Sequence, residues 1–176
     1  IVGLGGVGLA ALLGAHAAGA RQIVAIDRLD EKLERAYALG ATHAFNSDDP
    51  DLVAQVKAAT NGGVEYAIEA ASSVDALEVA YRITRRGGTT VTCSLPHPDH
   101  RFQLQAVNLV AEERTIKGCY LGSAVPARDI PHYIALYHAG KLPVDKLITS
   151  RISLDEINAG FDRLAAGEAV RQVIVF

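Results

Sequence analysis

The stretch IVGLGGVGLAALLGAHAAGARQIVAID, residues 1–27, decides the fold. Ile1-Val2 reads as the end of an apolar strand that runs into Gly3-Leu4-Gly5-Gly6-Val7-Gly8. A helix-forming run, Val7–Ala18, follows, and then a second strand, Gln22–Ile26, ending in Asp27, nineteen residues past Gly8. A strand, a glycine turn and a helix in this order suit a dinucleotide. Gly3 permits the tight turn, Gly5 lets backbone approach a pyrophosphate, and Gly8 lets the helix lie close on the strand. The helix N-terminus offers unpaired amides and a positive dipole end to the phosphates. A carboxylate at the end of the second strand can accept both ribose hydroxyls of an adenosine. Asp27 would repel a 2′-phosphate, so NAD is expected over NADP even with Arg28 alongside.

Outward from this stretch, short β-branched runs alternate with helical patterns. Strands are expected at Ile1–Gly3, Gln22–Ile26, His43–Phe45, Glu65–Glu69, Thr89–Ser94 and Thr115–Leu121. Helices are expected at Val7–Ala18, Asp30–Leu39, Asp51–Thr60 and Asp75–Thr84, ending near Gly19, Gly40, Gly62-Gly63 and Gly87-Gly88. This alternation predicts an α/β domain, residues 1–121, with a doubly wound parallel sheet covered by helices on both faces. After Leu121 the alternation stops. Residues 122–176 hold a turn, a helix over Ala127–Ala139, a capping box at Ser153-Leu154-Asp155-Glu156 starting a helix to about Ala166, and a last strand, Val170–Phe176. This tail is expected to pack on something else. Because the chain opens inside a strand, it is expected to be a module cut from something longer.

Composition narrows the class. Hydrophobic residues make up 49% of the 176, and the net charge is -3 with no basic stripe. Nucleic acid and membrane are therefore not expected partners, and cytoplasmic localisation is expected. The two cysteines, Cys93 and Cys119, read as reduced, buried core thiols. His97-Pro98-Asp99-His100 reads as a surface turn rather than a metal site, and Glu69 as an acid solvated or paired at a strand end. Arg171 has two readings at this level, a surface charge or a ligand contact. No catalytic set and no metal cluster is legible.

Five stretches together resemble the zinc-dependent medium-chain alcohol dehydrogenases, in their C-terminal half. They are Gly3–Gly8, AIDRLDEKLERAYALGATHAFN (25–46), NGGVEYAIEA (61–70), TIKGCYLGS (115–123) and GEAVRQVIVF (167–176). The resemblance implies a Rossmann domain whose tail, 122–176, completes a GroES-like catalytic domain lying outside these residues. It makes Gly5, Gly6 and Val7 the pyrophosphate cradle, with Gly3 and Gly8 framing the turn. Asp27 and Lys32 would meet the adenosine ribose, and Ala70 and Ala71 would flank the adenosine side. Cys93, Ser94 and Leu95 would line the nicotinamide, Cys119, Tyr120 and Leu121 would offer backbone to its carboxamide, and Arg171 would meet the pyrophosphate.

The implied cofactor is NAD, with zinc only in a complete enzyme, and the implied substrate a small alcohol or aldehyde. A homodimer through Glu113–Leu121 is also implied. A zinc-free medium-chain quinone or enoyl reductase shares this half, and a non-enzymatic NAD-sensing module stands as the rival from another class.

Overall fold

The computed structural model describes residues 1–176. Strands β1 (Val24–Asp27) and β2 (His43–Asn46) pair in parallel, as do β3 (Val64–Glu69), β4 (Thr84–Thr92) and β5 (Thr115–Gly118). Val2 joins the two groups, bridging Ile26 on one side and Glu69 on the other. The backbone ladder runs through it: Val2 N–H donates to Ile68 O at 2.8 Å and Gly3 N–H to Ile26 O at 2.8 Å. Counted with the Val2 segment first, the order is 3-2-1-4-5-6, all parallel. Successive crossovers leave Val2 toward β1 and β2, then return to its other side at β3. The crevice where the order reverses lies beyond the carboxyl ends of Val2 and β3.

Two helical layers cover the sheet. Helices α1 (Gly6–Ala17) and α2 (Asp30–Ala38) cover one face; α3 (Leu52–Ala59) and α4 (Val74–Ile83) cover the other. Side chains of a strand alternate between faces. Ala25 accordingly joins Leu9, Leu12, Leu13, Leu33 and Leu39 on the first face, while Val24 and Ile26 join Leu52, Val56, Ala80 and Ile83 on the second. Each fully buried Leu or Ile contributes roughly 1.5–3 kcal/mol of transfer free energy. The expected doubly wound architecture is present.

Several boundaries differ from the sequence reading. The glycines after α4 do not cap it. The helix ends at Ile83, and Thr84, extended at φ -69 and ψ 132, begins β4 at once. The Thr84 hydroxyl donates to Ala80 O at 2.7 Å and lies 2.8 Å from Thr90 Oγ1, which fixes the departure from the helix. Gly87 then sits at φ 69 in a bulge, so that Val64 pairs with Thr84 but Tyr66 with Thr89. β5 stops at Gly118 rather than Leu121. Leu121, Gly122 and Ser123 turn through the left-handed region in succession (φ 48, 69 and 51). The last strand is shorter too: β7 (Gln172–Ile174) pairs in parallel with β6 (Ser150–Ile152) as a two-stranded ribbon.

The tail is divided in its packing. Leu142 and Leu147 join the core against α1, so part of it belongs to this domain. Helix α6 (Pro126–His138), after the six-residue α5 (Ala106–Ala111), buries none of its residues and leaves Ile130, Tyr133, Ile134 and Tyr137 exposed. The capping box forms: Glu156 accepts from Ser153 N–H at 2.8 Å and from its hydroxyl at 2.9 Å. These bonds hold the Glu156 carboxyl below its ordinary range. It opens a single tight turn, Leu154–Glu156, before α7 (Ile157–Ala165). No helix is long and apolar enough to cross a membrane.

Candidate nucleotide site

The glycine turn lies at the mouth of the crevice. Gly3, at φ +88, has the β3–α4 connection pressed against it: a Cβ there would stand 2.7 Å from Ala71 Cβ. A Cβ on Gly8 would overlap the carbonyl oxygen of Gly3, so α1 can lie against the turn only with glycine at that position. Gly5 caps α1 without a side-chain bond, and a Cβ added to it meets nothing within 4 Å. The first-turn amides of Gly6, Val7 and Gly8 have no partner four residues back within the helix, and the first turn carries no acid. Open space above Gly5 and a free positive helix end make a cradle for an anion.

Arg171 is brought to this cradle by β7. Its Nη2 lies 3.3 Å from where a Gly6 Cβ would be, and its guanidinium has no acidic partner. Arg171 is thus an exposed cation standing over the start of α1.

Asp27 stands at the carboxyl end of β1, beside the turn. Its Oδ2 accepts from Leu4 N–H at 2.7 Å and its Oδ1 from Leu29 N–H at 3.2 Å, with Lys32 Nζ at 3.9 Å from Oδ2. These bonds hold the carboxylate in one orientation and leave lone pairs facing outward. Arg28 turns away to pair with Asp48 at 3.4 Å. Gly167 of the tail closes on the same place, where a Cβ would lie 3.2 Å from Leu29 Cδ1 and 3.9 Å from Lys32 Nζ.

The far wall is built from the ends of β3, β4 and β5. Ala70 N–H donates to Val2 O at 2.8 Å, and Ser72 follows Ala71 at φ 55. Cys93 and Cys119 are half-buried rather than buried, and both are free thiols. The two strands remain paired at this level, since Cys119 N–H donates to Thr92 O at 2.9 Å. Cys93 Sγ donates to Glu69 O at 3.2 Å; burial pushes its thiol up, with Cys119 and Glu69 adding to the effect. Leu95, Tyr120 and Leu121 are exposed, giving this end of the crevice an apolar rim.

Glu69, too, is placed otherwise than the sequence reading has it. Glu69 is neither solvated nor ion-paired: it is 1% exposed, among the largest fully buried side chains. Its Oε1 accepts from Ala71 N–H at 2.6 Å, and its Oε2 from Thr92 Oγ1 at 2.6 Å and Ser94 Oγ at 2.5 Å. The available signal was an acid ending an apolar strand next to the point where strand order reverses. No group of three or more His, Cys, Asp or Glu side chains could hold a metal ion. His97 lies 3.5 Å from Asp99, with its ring 5.6 Å from that of His100, in an exposed turn.

A family profile described as "Zinc-binding dehydrogenase" matches residues 6–139. Among curated relatives, "Alcohol dehydrogenase 1" of Oryza sativa subsp. indica is 39% identical over 177 aligned positions, covering 99% of this chain and 46% of that protein. "Geraniol dehydrogenase" of Castellaniella defragrans is 38% identical, covering 100% of this chain and 47% of that protein. The crystal structure of benzyl alcohol dehydrogenase from Acinetobacter calcoaceticus superposes with a TM-score of 0.94 at 35% identity, covering 98% of this chain and 47% of that one. The chain therefore spans about half the length of the curated relatives it matches.

Proposed function

Because the chain belongs to the zinc-binding dehydrogenase family, we propose that it is the NAD-holding portion of an alcohol dehydrogenase acting on a small alcohol or aldehyde. The observation that carries this reading is the convergence of three anchors on one crevice: the uncapped start of α1, the unpaired Arg171 over Gly6, and the oriented Asp27 carboxylate. Gly5, Gly6 and Val7 would receive the pyrophosphate through their amides, with Arg171 neutralising its charge. Asp27 and Lys32 would hold the adenosine ribose, and Ala70 and Ala71 would bound the adenosine side. Cys93, Ser94 and Leu95 would bound the nicotinamide, with the backbone of Cys119, Tyr120 and Leu121 at its carboxamide. NAD, when bound, supplies the hydride acceptor. The chain's share of catalysis is orientation, since a ring held between fixed walls needs no further ordering before reaction. No group of these residues fits a zinc centre, so zinc is expected only in the complete enzyme, held by residues outside this chain. The tail, 122–176, is read as a segment of the catalytic domain, its exposed α6 face as the surface that domain covers. The alcohol dehydrogenase relatives favour this reading over a zinc-free reductase. Cytoplasmic localisation is consistent with two free thiols.

Calorimetry with NAD and NADP, beside an absorbance assay of alcohol oxidation, tests the reading on this chain alone. NAD is expected to bind better than NADP, and no alcohol is expected to be oxidised. Asp27→Ser should weaken NAD by about tenfold or more, from the loss of charge-assisted bonds to two hydroxyls, and narrow the gap to NADP. Absence of NAD binding would overturn the cofactor assignment, and zinc-dependent turnover would overturn the division of labour.

Assembly follows from the sheet edge. β5 pairs with β4 alone, so the segment Glu113–Leu121 offers an open edge, and Val107 and Val110 of α5 lie exposed. We place a homodimer here, with the edge pairing to its two-fold mate. Light scattering at high micromolar concentration should return twice the 18.6 kDa chain mass; a monomer would contradict it.

A further inference from the structure

Glu69 presents a physical problem. A carboxylate that is 1% exposed, with no cation paired to it, carries a desolvation cost that an apolar residue would avoid. The cost is offset by three donors, and those donors are not neighbours. Ala71 N–H belongs to the β3–α4 connection, which is pressed against Gly3 of the glycine turn. Thr92, the register partner of Glu69, and Ser94 belong to the end of the adjacent strand β4, at the apolar rim of the crevice. Glu69 O accepts again from β4, from Cys93 N–H at 3.1 Å and from Cys93 Sγ. An apolar side chain could fill this volume, but it could not bond the β3–α4 connection to the end of β4.

We propose that Glu69 is a positioning residue for the dinucleotide, locking the nicotinamide-side wall at Ser94 in register with the glycine turn. The claim rests on the reading of the crevice as an NAD site. It is separable from that reading, because on the adenosine and pyrophosphate side only the Ala71 amide bonds to Glu69, while the polar anchors Asp27, Lys32 and Arg171 do not. Without the lock, Thr92, Ser94 and the Ala71 amide must find other partners, and the Ser94 side of the crevice is held to the turn only through the β3–β4 backbone bonds. The half of the ligand held by the turn, Asp27 and Arg171 should still bind. The half that reaches Ser94 should not bind well.

The experiment compares NAD with ADP-ribose, which lacks the nicotinamide, by calorimetry on this chain. Glu69→Leu keeps the volume and removes every acceptor; it should weaken NAD by about tenfold while changing ADP-ribose by less than about threefold, the loss of one or two charge-assisted bonds being of this order. Glu69→Gln can still accept from Ala71 N–H and can donate to the two hydroxyls once they rotate, so it should restore NAD affinity to within about threefold. Thr92→Val, isosteric and without its own place against the cofactor, should reproduce the selective loss of NAD at smaller size. It decides the matter if Glu69→Leu does not fold. Equal losses of NAD and ADP-ribose would mean that Glu69 only supports the fold, and unchanged NAD binding would mean that the lock is idle. Either result overturns the proposal. If the unmutated chain binds neither ligand, the NAD site itself fails, and the proposal with it.

Discussion

Gly8→Ala is expected to destabilise the chain by about 3 kcal/mol or more, while Gly5→Ala leaves it folded and abolishes NAD binding. Both substitutions add one methyl group within a single turn of chain. At Gly8 the added Cβ overlaps the carbonyl oxygen of Gly3, a backbone atom of a residue whose N–H is bonded to Ile26 O, so relief requires moving α1 off the strand. The roughly 1 kcal/mol that alanine gains over glycine inside a helix is too small to compensate. At Gly5 the backbone is at φ -76 and the Cβ points into open space, so the folded state loses less than about 1 kcal/mol, chiefly in cap preference. The space it enters is where the phosphates approach. Urea denaturation and calorimetry on the two variants separate these effects. A stable Gly8→Ala chain would contradict the close packing of α1, and an NAD-competent Gly5→Ala chain would contradict the cradle.

The second large effect concerns pH. Wherever a free amine stands at Ile1, it donates to Val24 O at 2.7 Å inside the fold, and burial lowers it from an ordinary 8.0 to about 5. Between those values the unfolded chain holds a proton that the folded chain does not. Stability must therefore rise with pH across that window, complete above about 8 and lost as pH falls toward 5. The difference corresponds to roughly 4 kcal/mol. Asp129 and Glu156 are shifted down instead, so their contributions disappear only in more acidic solution. Acetylating the amine should flatten the profile between pH 5 and 8. The group has room, because a cavity of about 580 Å³ lined by Ile1, Ile23, Val64 and Ile68 lies beside it. Identical slopes with and without acetylation, by denaturant titration at several pH values, would refute the assignment.

What the sequence disclosed follows from how local each signal is. Gly3 to Gly8 and Asp27 are legible because the chemistry fixes both residue type and short spacing, and the structure brings them together as expected. Arg171 is not legible from pattern: it reaches Gly6 only because β7 pairs with β6, which no periodicity encodes, and the family resemblance supplied it. Glu69 was misread because burial is decided by β4, the neighbouring strand, and not by the residues around it. Gly87 failed for the opposite reason. A glycine after a helix reads as a stop, yet Thr84 had already ended the helix through bonds to Ala80 and Thr90. The sequence pattern has the tail packing elsewhere; α6 buries none of its residues, while Leu142 and Leu147 belong to the core at hand.

The placement of Arg171 above Gly6 has a consequence in time. During synthesis the glycine turn and Asp27 emerge well before Arg171, and a partial sheet can assemble around them once β3 is made. The guanidinium arrives only after β6 has been laid down to receive β7. A nascent or truncated chain would thus present an adenosine acceptor with half its phosphate charge unanswered. Cofactor retention would then report that the span from Gly3 to Arg171 has been made and folded. Once bound, the ligand would join the glycine turn to β7, two places far apart in sequence. By mass action it would then oppose unfolding by about 2.7 kcal/mol when present at a hundred times its dissociation constant.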